Sequence, residues 1–260
     1  MTATRHSITT VLNAAADGVG RASDLLLSRR RGTQLHPLST DIPALDTLLD
    51  GGLARGSLTE VVGRPSSGRF ATLLIALQRI TSSGEPAALI DQGGHLDPQS
   101  AATVGIDLDR LLWICPQRLP DTLAAAELLV ATGFPLVVID LGLPPVKGRA
   151  PLAAWLRLAR RTAEYQTVTV VGSPYRVSGC AAGTVIMAEG TRGRWSGRPG
   201  DVRTLEGSRS YLKLTKNRNH RLDAHTRLVL TLPEAAFGSP AESEPLPTFN
   251  REEFDNARSL

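Results

Sequence analysis

The sequence predicts an α/β fold with a central, mostly parallel sheet covered by helices on both faces, and three observations predict it. Between Leu58 and Val171 short apolar strand candidates alternate with helical stretches, the pattern of strand–helix–strand crossovers. Two of those strands, Leu136-Val137-Val138-Ile139 and Val168-Thr169-Val170-Val171, are apolar almost without interruption. Central strands of a parallel sheet need that composition, because helices cover both of their faces. The first strand also runs straight into a glycine-rich loop, Gly63-Arg64-Pro65-Ser66-Ser67-Gly68-Arg69-Phe70, with a helical stretch behind it. Backbone N–H groups gather around an anion at such a junction.

The elements follow in order. Apolar residues at helical spacing between Ser7 and Leu27, including Leu25 and Leu26, predict one or two helices, weakened by Gly18 and Gly20 and closed by Arg29-Arg30-Arg31, cations that suit a helix C-terminus. Ile42 to Leu49 reads as a short helix stopped by Gly51-Gly52. Strands are expected at Leu58–Val62, Ala87–Ile90 (ending at Asp91), Leu111–Cys115, Pro135–Ile139 (ending at Asp140) and Thr167–Val171. Helices are expected at Ala71–Ile80, Thr122–Thr132 and Pro151–Tyr165. Beyond Gly172 the pattern turns to hairpins, with late antiparallel strands at Thr184–Met187, Ser210–Thr215 and Thr226–Leu232. His95 is read as a turn residue. The expected division is an N-terminal helical segment and linker (1–40), a core (41–232) and an acidic, largely disordered tail (233–260).

Composition narrows the function classes. Hydrophobic residues make up 42% of the 260, enough for a core, but aromatics only 4%, so Leu, Val, Ile and Ala must build it. Cys115 and Cys180 have no metal-ligand spacing and read as buried thiols of a reducing compartment. No apolar run approaches the roughly 18 residues of a membrane span, no secretory leader is evident, and the expected location is cytoplasmic. The formal charge is +4, and its distribution matters more than its sum.

The glycine-rich loop keeps the spacing of a phosphate-binding loop and lacks its chemistry. A working loop reads G-x-x-x-x-G-K-[ST], with a Lys for the β- and γ-phosphates and a hydroxyl for Mg²⁺. Here Gly63, Ser66, Ser67 and Gly68 stand in place, but Arg69 replaces the Lys and Phe70 the hydroxyl residue. Arg is longer, planar and forked, and Phe offers hard Mg²⁺ no oxygen. Ser67, Gly68 and the helix N-terminus leave residual nucleotide binding open, but the expectation is no retained cofactor and no metal.

The run Ile42-Pro43-Ala44-Leu45-Asp46, then Gly51-Gly52-Leu53 through Gly56-Ser57-Leu58-Thr59-Glu60-Val61-Val62-Gly63 and on to Ser66-Ser67-Gly68, resembles the start of the RecA core. The resemblance continues through Ala88-Leu89-Ile90-Asp91, His95-Leu96-Asp97-Pro98 and Gly105 to Leu112, and covers roughly residues 42–232. It implies a RecA-like P-loop NTPase core, with Asp140 as the Walker-B-like carboxylate. It also implies a Glu after the second strand to position the attacking water, where this chain has Gly93. Three departures, Arg69, Phe70 and Gly93, fall on three catalytic elements, so the chain reads as a non-enzyme. Such worn motifs resemble the ImuA family, accessory proteins of bacterial mutasomes. That resemblance implies a role in the DNA damage response, in translesion synthesis and induced mutagenesis. The implied partners are ImuB (an inactive Y-family-like polymerase), a DnaE-type error-prone polymerase indirectly, and RecA or single-stranded DNA. The alternatives are a weak DNA-dependent ATPase and a SulA-like cell-division inhibitor.

Two further regions carry expectations. From Thr191 to Arg221 cations far outnumber carboxylates; Arg192, Arg194, Trp195, Arg198 and Arg203, interleaved with glycines, suit a flexible segment that tracks a single strand and stacks a base. In the RecA family the region after the fifth strand holds the second DNA-binding loop. The bland alternative is a solvated basic surface. Phe249, Phe254 and Leu260, spaced among carboxylates, together with Leu25 and Leu26, are read as partner-binding anchors.

Overall fold

The computed structural model describes residues 36–146, 148, 150–198, 203–217 and 224–231. Helix α1 (Pro43–Leu48) precedes strand β1 (Ser57–Gly63) and helix α2 (Arg69–Ser82). Next come β2 (Ala87–Asp91), α3 (Pro98–Thr103), a 3₁₀ turn (Leu108–Arg110), β3 (Leu111–Ile114) and α4 (Leu119–Ala131). β4 (Leu136–Asp140), α5 (Leu152–Tyr165), β5 (Val168–Ser173) and the long strands β6 (Thr184–Ser196), β7 (Thr204–Asn217) and β8 (His225–Thr231) complete the described elements.

One eight-stranded sheet runs β3-β2-β4-β5-β1-β6-β7-β8. Its first six strands are parallel neighbours, and β6–β7 and β7–β8 are antiparallel. β2, β4 and β5 are buried along their whole length, as continuous apolar strands require. Each face has its own core. Leu73, Ala76, Leu77 and Ile80 of α2 cover one face over Val61, Leu89 and Val138. Leu123, Ala126 and Val130 of α4, with Trp155 and Leu158 of α5, cover the other over Leu58, Val137 and Ile139. A full side chain such as Leu73 or Leu158, 0% exposed, contributes about 1.5–3 kcal/mol by leaving water.

Several expectations need correction. Asp97 caps α3 by accepting from the Ser100 N–H, and Pro98 opens the helix; the sequence reading gave no helix at 98–103. β6 pairs antiparallel with β7 as expected, but its start, Thr184–Ala188, also lies parallel to β1 on the other edge, which the sequence reading did not give. β6 and β7 are also far longer than expected, 13 and 14 residues, so Thr191–Ser196 and Thr204–Asn217 of the basic stretch are strand, not flexible loop. β-ladder hydrogen bonds override its glycine content. Both cysteines are exposed rather than buried. The predicted N-terminal helices and the tail, with Leu25, Leu26, Phe249, Phe254 and Leu260, lie outside the described residues.

Candidate functional site

The C-terminal ends of β1, β2 and β4 converge on the loop 63–70. Parallel strands end side by side, so Asp91 and Asp140 are register partners at the tips of β2 and β4. Their carboxylates do different work. Asp91 shapes the next turn: Oδ1 accepts the His95 N–H at 3.1 Å, and Oδ2 accepts the Leu96 N–H at 3.0 Å and Trp113 Nε1–H at 3.3 Å. The Gln92 and Gly93 N–H groups donate to the Asp140 carbonyl at 2.9 and 3.3 Å. This clamp turns His95 back over β4, where its Nδ1 lies 2.7 Å from Asp140 Oδ2.

Arg69 closes the other side. Its side chain is only 4% exposed, although it is the first residue of α2. Nη1 donates to the Gly63 carbonyl at 3.1 Å and Nη2 to the Gly142 carbonyl at 2.9 Å, while Nη2 lies 3.4 Å from Asp140 Oδ1. The forked guanidinium thus bridges the loop, the end of β4 and the strand-end carboxylate, which a Lys point charge cannot do. Asp140 is fully buried. Burial pushes its carboxyl above the ordinary carboxylate range, against the downward pull of Arg69 and His95. Burial likewise lowers the Arg69 guanidinium, with Asp140 pulling the other way.

Gly93 permits the pair. A Cβ there would stand 2.6 Å from Gly142 Cα, 2.8 Å from Asp140 Oδ2 and 2.9 Å from His95 Nδ1. No side chain fits without breaking the His95–Asp140 contact. Gly93 therefore does more than omit a carboxylate. Phe70 is half-buried against the α2-side core and meets His95 edge to face at 5.8 Å between ring centroids.

The residues do not fit a magnesium–triphosphate. Phe70 supplies no oxygen, Arg69 sits against Asp140, and the two backbone carbonyls it bonds are spent. Gly68 (φ +91) is crowded by the hairpin, since a Cβ there would come within 2.1 Å of Ser210 Oγ. Ser67 Oγ, Arg69 Nε and Asp140 Oδ1 are buried without a hydrogen-bond partner, so Asp140 Oδ1 meets Arg69 by charge alone. Among the described residues, no group of three or more His, Cys, Asp and Glu side chains could hold a metal, and no helix is long and apolar enough to cross a membrane.

Of the sequence-predicted site residues, the structure places Gly63, Ser66, Ser67, Gly68, Arg69 and Phe70 on one loop, with Asp140 against Arg69. His95 was missed, because its partner is 45 residues away; an imidazole two positions after an unexpected Gly93 was the available signal. The basic set comes together only in part. Arg192 pairs directly with Arg209 across β6–β7, and Arg194 with Gly207, while a register shift follows before Trp195 meets Leu205. A Cβ on Gly193 would lie 2.7 Å from Trp195 Nε1, so Trp195 shares the Gly193 face, opposite Arg192 and Arg194. Arg203 lies over the Trp195 ring at 6.0 Å, and Arg227 over Tyr211 at 5.9 Å. Arg198 is exposed past the end of β6. The segment that directly follows β5, residues 174–183, is separate from these arginines. Buried Glu60 holds it, accepting from the Val177 N–H at 2.7 Å, from Ser173 Oγ–H at 3.1 Å and from the Ser178 hydroxyl.

The sequence profile of the RecA N-terminal domain matches residues 6–146, 141 of the 260 residues. The chain belongs to the RecA N-terminal domain family. Over 137 residues it is 33% identical to Protein RecA of Nostoc punctiforme, covering 52% of this chain and 38% of that protein. Over 123 residues it is 37% identical to Protein RecA of Bacillus pumilus, covering 46% of this chain and 36% of that one. The chain thus spans less than two fifths of the length of these relatives. The crystal structure of the RadB recombinase shares the fold, with a TM-score of 0.55 and 21% identity over 75% of this chain and 97% of that one.

Proposed function

We propose that this RecA-family protein is a non-catalytic accessory factor of the DNA damage response, of the ImuA type. It supports translesion synthesis and induced mutagenesis by binding ImuB and, through it, a DnaE-type polymerase, with RecA and single-stranded DNA as further partners. One observation carries the reading: buried Asp140 lies between Arg69, whose Nη2 is 3.4 Å from Oδ1, and His95, whose Nδ1 is 2.7 Å from Oδ2. In a RecA-type ATPase that carboxylate serves the metal, and catalysis of phosphoryl transfer is almost wholly positioning and charge. Here the same carboxylate serves as an internal counter-ion.

The DNA part rests on the hairpin. Arg192 and Arg209 are exposed and directly opposed across the ladder, a like-charge pair that costs stability unless an anion answers it. Neither has an ion-pair partner among the described residues.

Two assays test the reading. Phosphate release from magnesium–ATP in the presence of single-stranded DNA should match a protein-free control; turnover above it means an enzyme. Purified chain should retain ImuB on a column; if it neither does so nor alters RecA strand exchange, the accessory role is wrong.

A further inference from the structure

Above the loop 63–70 lies a cavity of about 360 Å³, floored by Ser66, Gly68 and Arg69 of the loop itself and walled by Arg64, Pro65, Phe70, Ala71, His95, Leu143 and Thr191. Its position is that of a phosphate site, but its chemistry is not. The one buried cation is turned away into Asp140 and two carbonyls. Phe70 and Leu143, the latter 52% exposed, present carbon instead, and Arg64 stands exposed at the rim. Such a pocket favours an apolar side chain flanked by carboxylates over a triphosphate.

The sequence contains such a segment. Residues 247–255 read Pro-Thr-Phe-Asn-Arg-Glu-Glu-Phe-Asp, so Phe254 has Glu252 and Glu253 before it and Asp255 after it. Where the described chain stops also matters. Thr231, the last residue of β8, pairs with Gly207. Ser210, three residues along β7, is hydrogen-bonded to Thr191 at 2.7 Å and abuts Gly68. That path is about 15 Å, three residues of strand and one inter-strand step. Residues 232–248 span up to about 56 Å when extended, so reach is no obstacle, and tethering raises the local concentration of the segment to the millimolar range.

We propose that this pocket docks the chain's own acidic aromatic segment, residues 247–255, with the Phe254 ring inside the cavity and the neighbouring carboxylates facing Arg64. The inference rests on the reading that the loop no longer serves nucleotide. It makes the pocket a binding site for protein, and it makes the segment unavailable to other partners while docked.

The test uses the full chain. The side-chain methyl NMR signals of Ala71 and Leu143 are compared between wild type and Phe254→Ala, with Phe249→Ala as a control. Loss of an aromatic ring-current shift at both methyls in Phe254→Ala only is expected. A synthetic peptide of residues 247–257 added to the Phe254→Ala protein should restore the shift. Leu143→Glu should weaken that binding about tenfold, the scale of one lost apolar contact. Unchanged methyl signals in Phe254→Ala overturn the proposal. So does a peptide that binds wild type as tightly as Phe254→Ala, since the pocket is then free for a segment in trans. Magnesium–ATP is titrated separately into wild type; shifts at the same methyls would overturn the nucleotide-free reading whatever the peptide does.

Discussion

The phosphate loop and the β6–β7 hairpin use arginines in opposite ways. Arg69 is turned inward, 4% exposed, and answered by a buried carboxylate and two carbonyls. Arg192 and Arg209 are turned outward, face to face, and answered by no described side chain. A cation that is neutralised from within closes a site, and cations left opposing one another in solvent open one. On the proposed reading an anion is met on the sheet face of the hairpin rather than in the glycine-rich loop.

The comparison breaks most visibly at Asp140. Asp140→Ala should cost about 3–5 kcal/mol, because it leaves the Arg69 guanidinium buried and uncompensated; denaturant unfolding measures it. Adding Arg69→Leu to that variant should recover most of the loss, since removing both charges removes the penalty. A double-mutant cycle with no coupling would mean the pair does not hold the loop. Gly93→Ala comes next, with an expected loss of about 1–3 kcal/mol from overpacking against Gly142 and the His95–Asp140 contact. The matching readout is a changed His95 ring resonance, which a distant defect would leave alone.

On the hairpin the sign reverses. Arg192→Gln should stabilise the fold by about 0.2–1 kcal/mol at low salt by removing a like-charge pair. The same change should flatten the salt dependence of single-strand binding by about 0.7 in log–log slope for one lost phosphate contact. Anisotropy titrations over a salt series read it, and an unchanged slope would remove Arg192 from the proposed track. The smallest effect lies far from both regions. Burial raises the Asp46 carboxyl, but hydrogen bonds from Ser39 and Thr40 outweigh it and leave the group below its ordinary value. Its contribution is therefore present above the unfolded-state value near 3.8 and fades as pH falls through the lower folded-state value. Asp46→Asn should lose stability at neutral pH and show a shallower acid transition below pH 4.

Much of the fold was legible because its signals are local. Continuous apolar runs gave β4 and β5, acids marked the strand ends, and a spaced pair of glycines gave the loop between β1 and α2. The length of β6 and β7 was not legible. Glycines at 190, 193 and 197 read as flexibility, while the ladder they join is decided by a partner strand on the other side of a turn. The same limit split the basic set: once Thr191–Ser196 is a strand, side chains alternate, so Arg192 and Arg194 face one way and Trp195, on the Gly193 side, the other.

The sequence by itself determined that the loop lacks a metal-ligating hydroxyl and a Lys, and that position 93 carries no carboxylate, because side-chain identity is enough to exclude that chemistry. Only the tertiary structure decided what replaced it. The Arg69 guanidinium, the His95 ring and the Asp140 carboxylate come from three separate stretches of chain. They meet because parallel strands end together at one edge of the sheet, and because the backbone at Gly93 and Gly142 approaches too closely to admit a side chain.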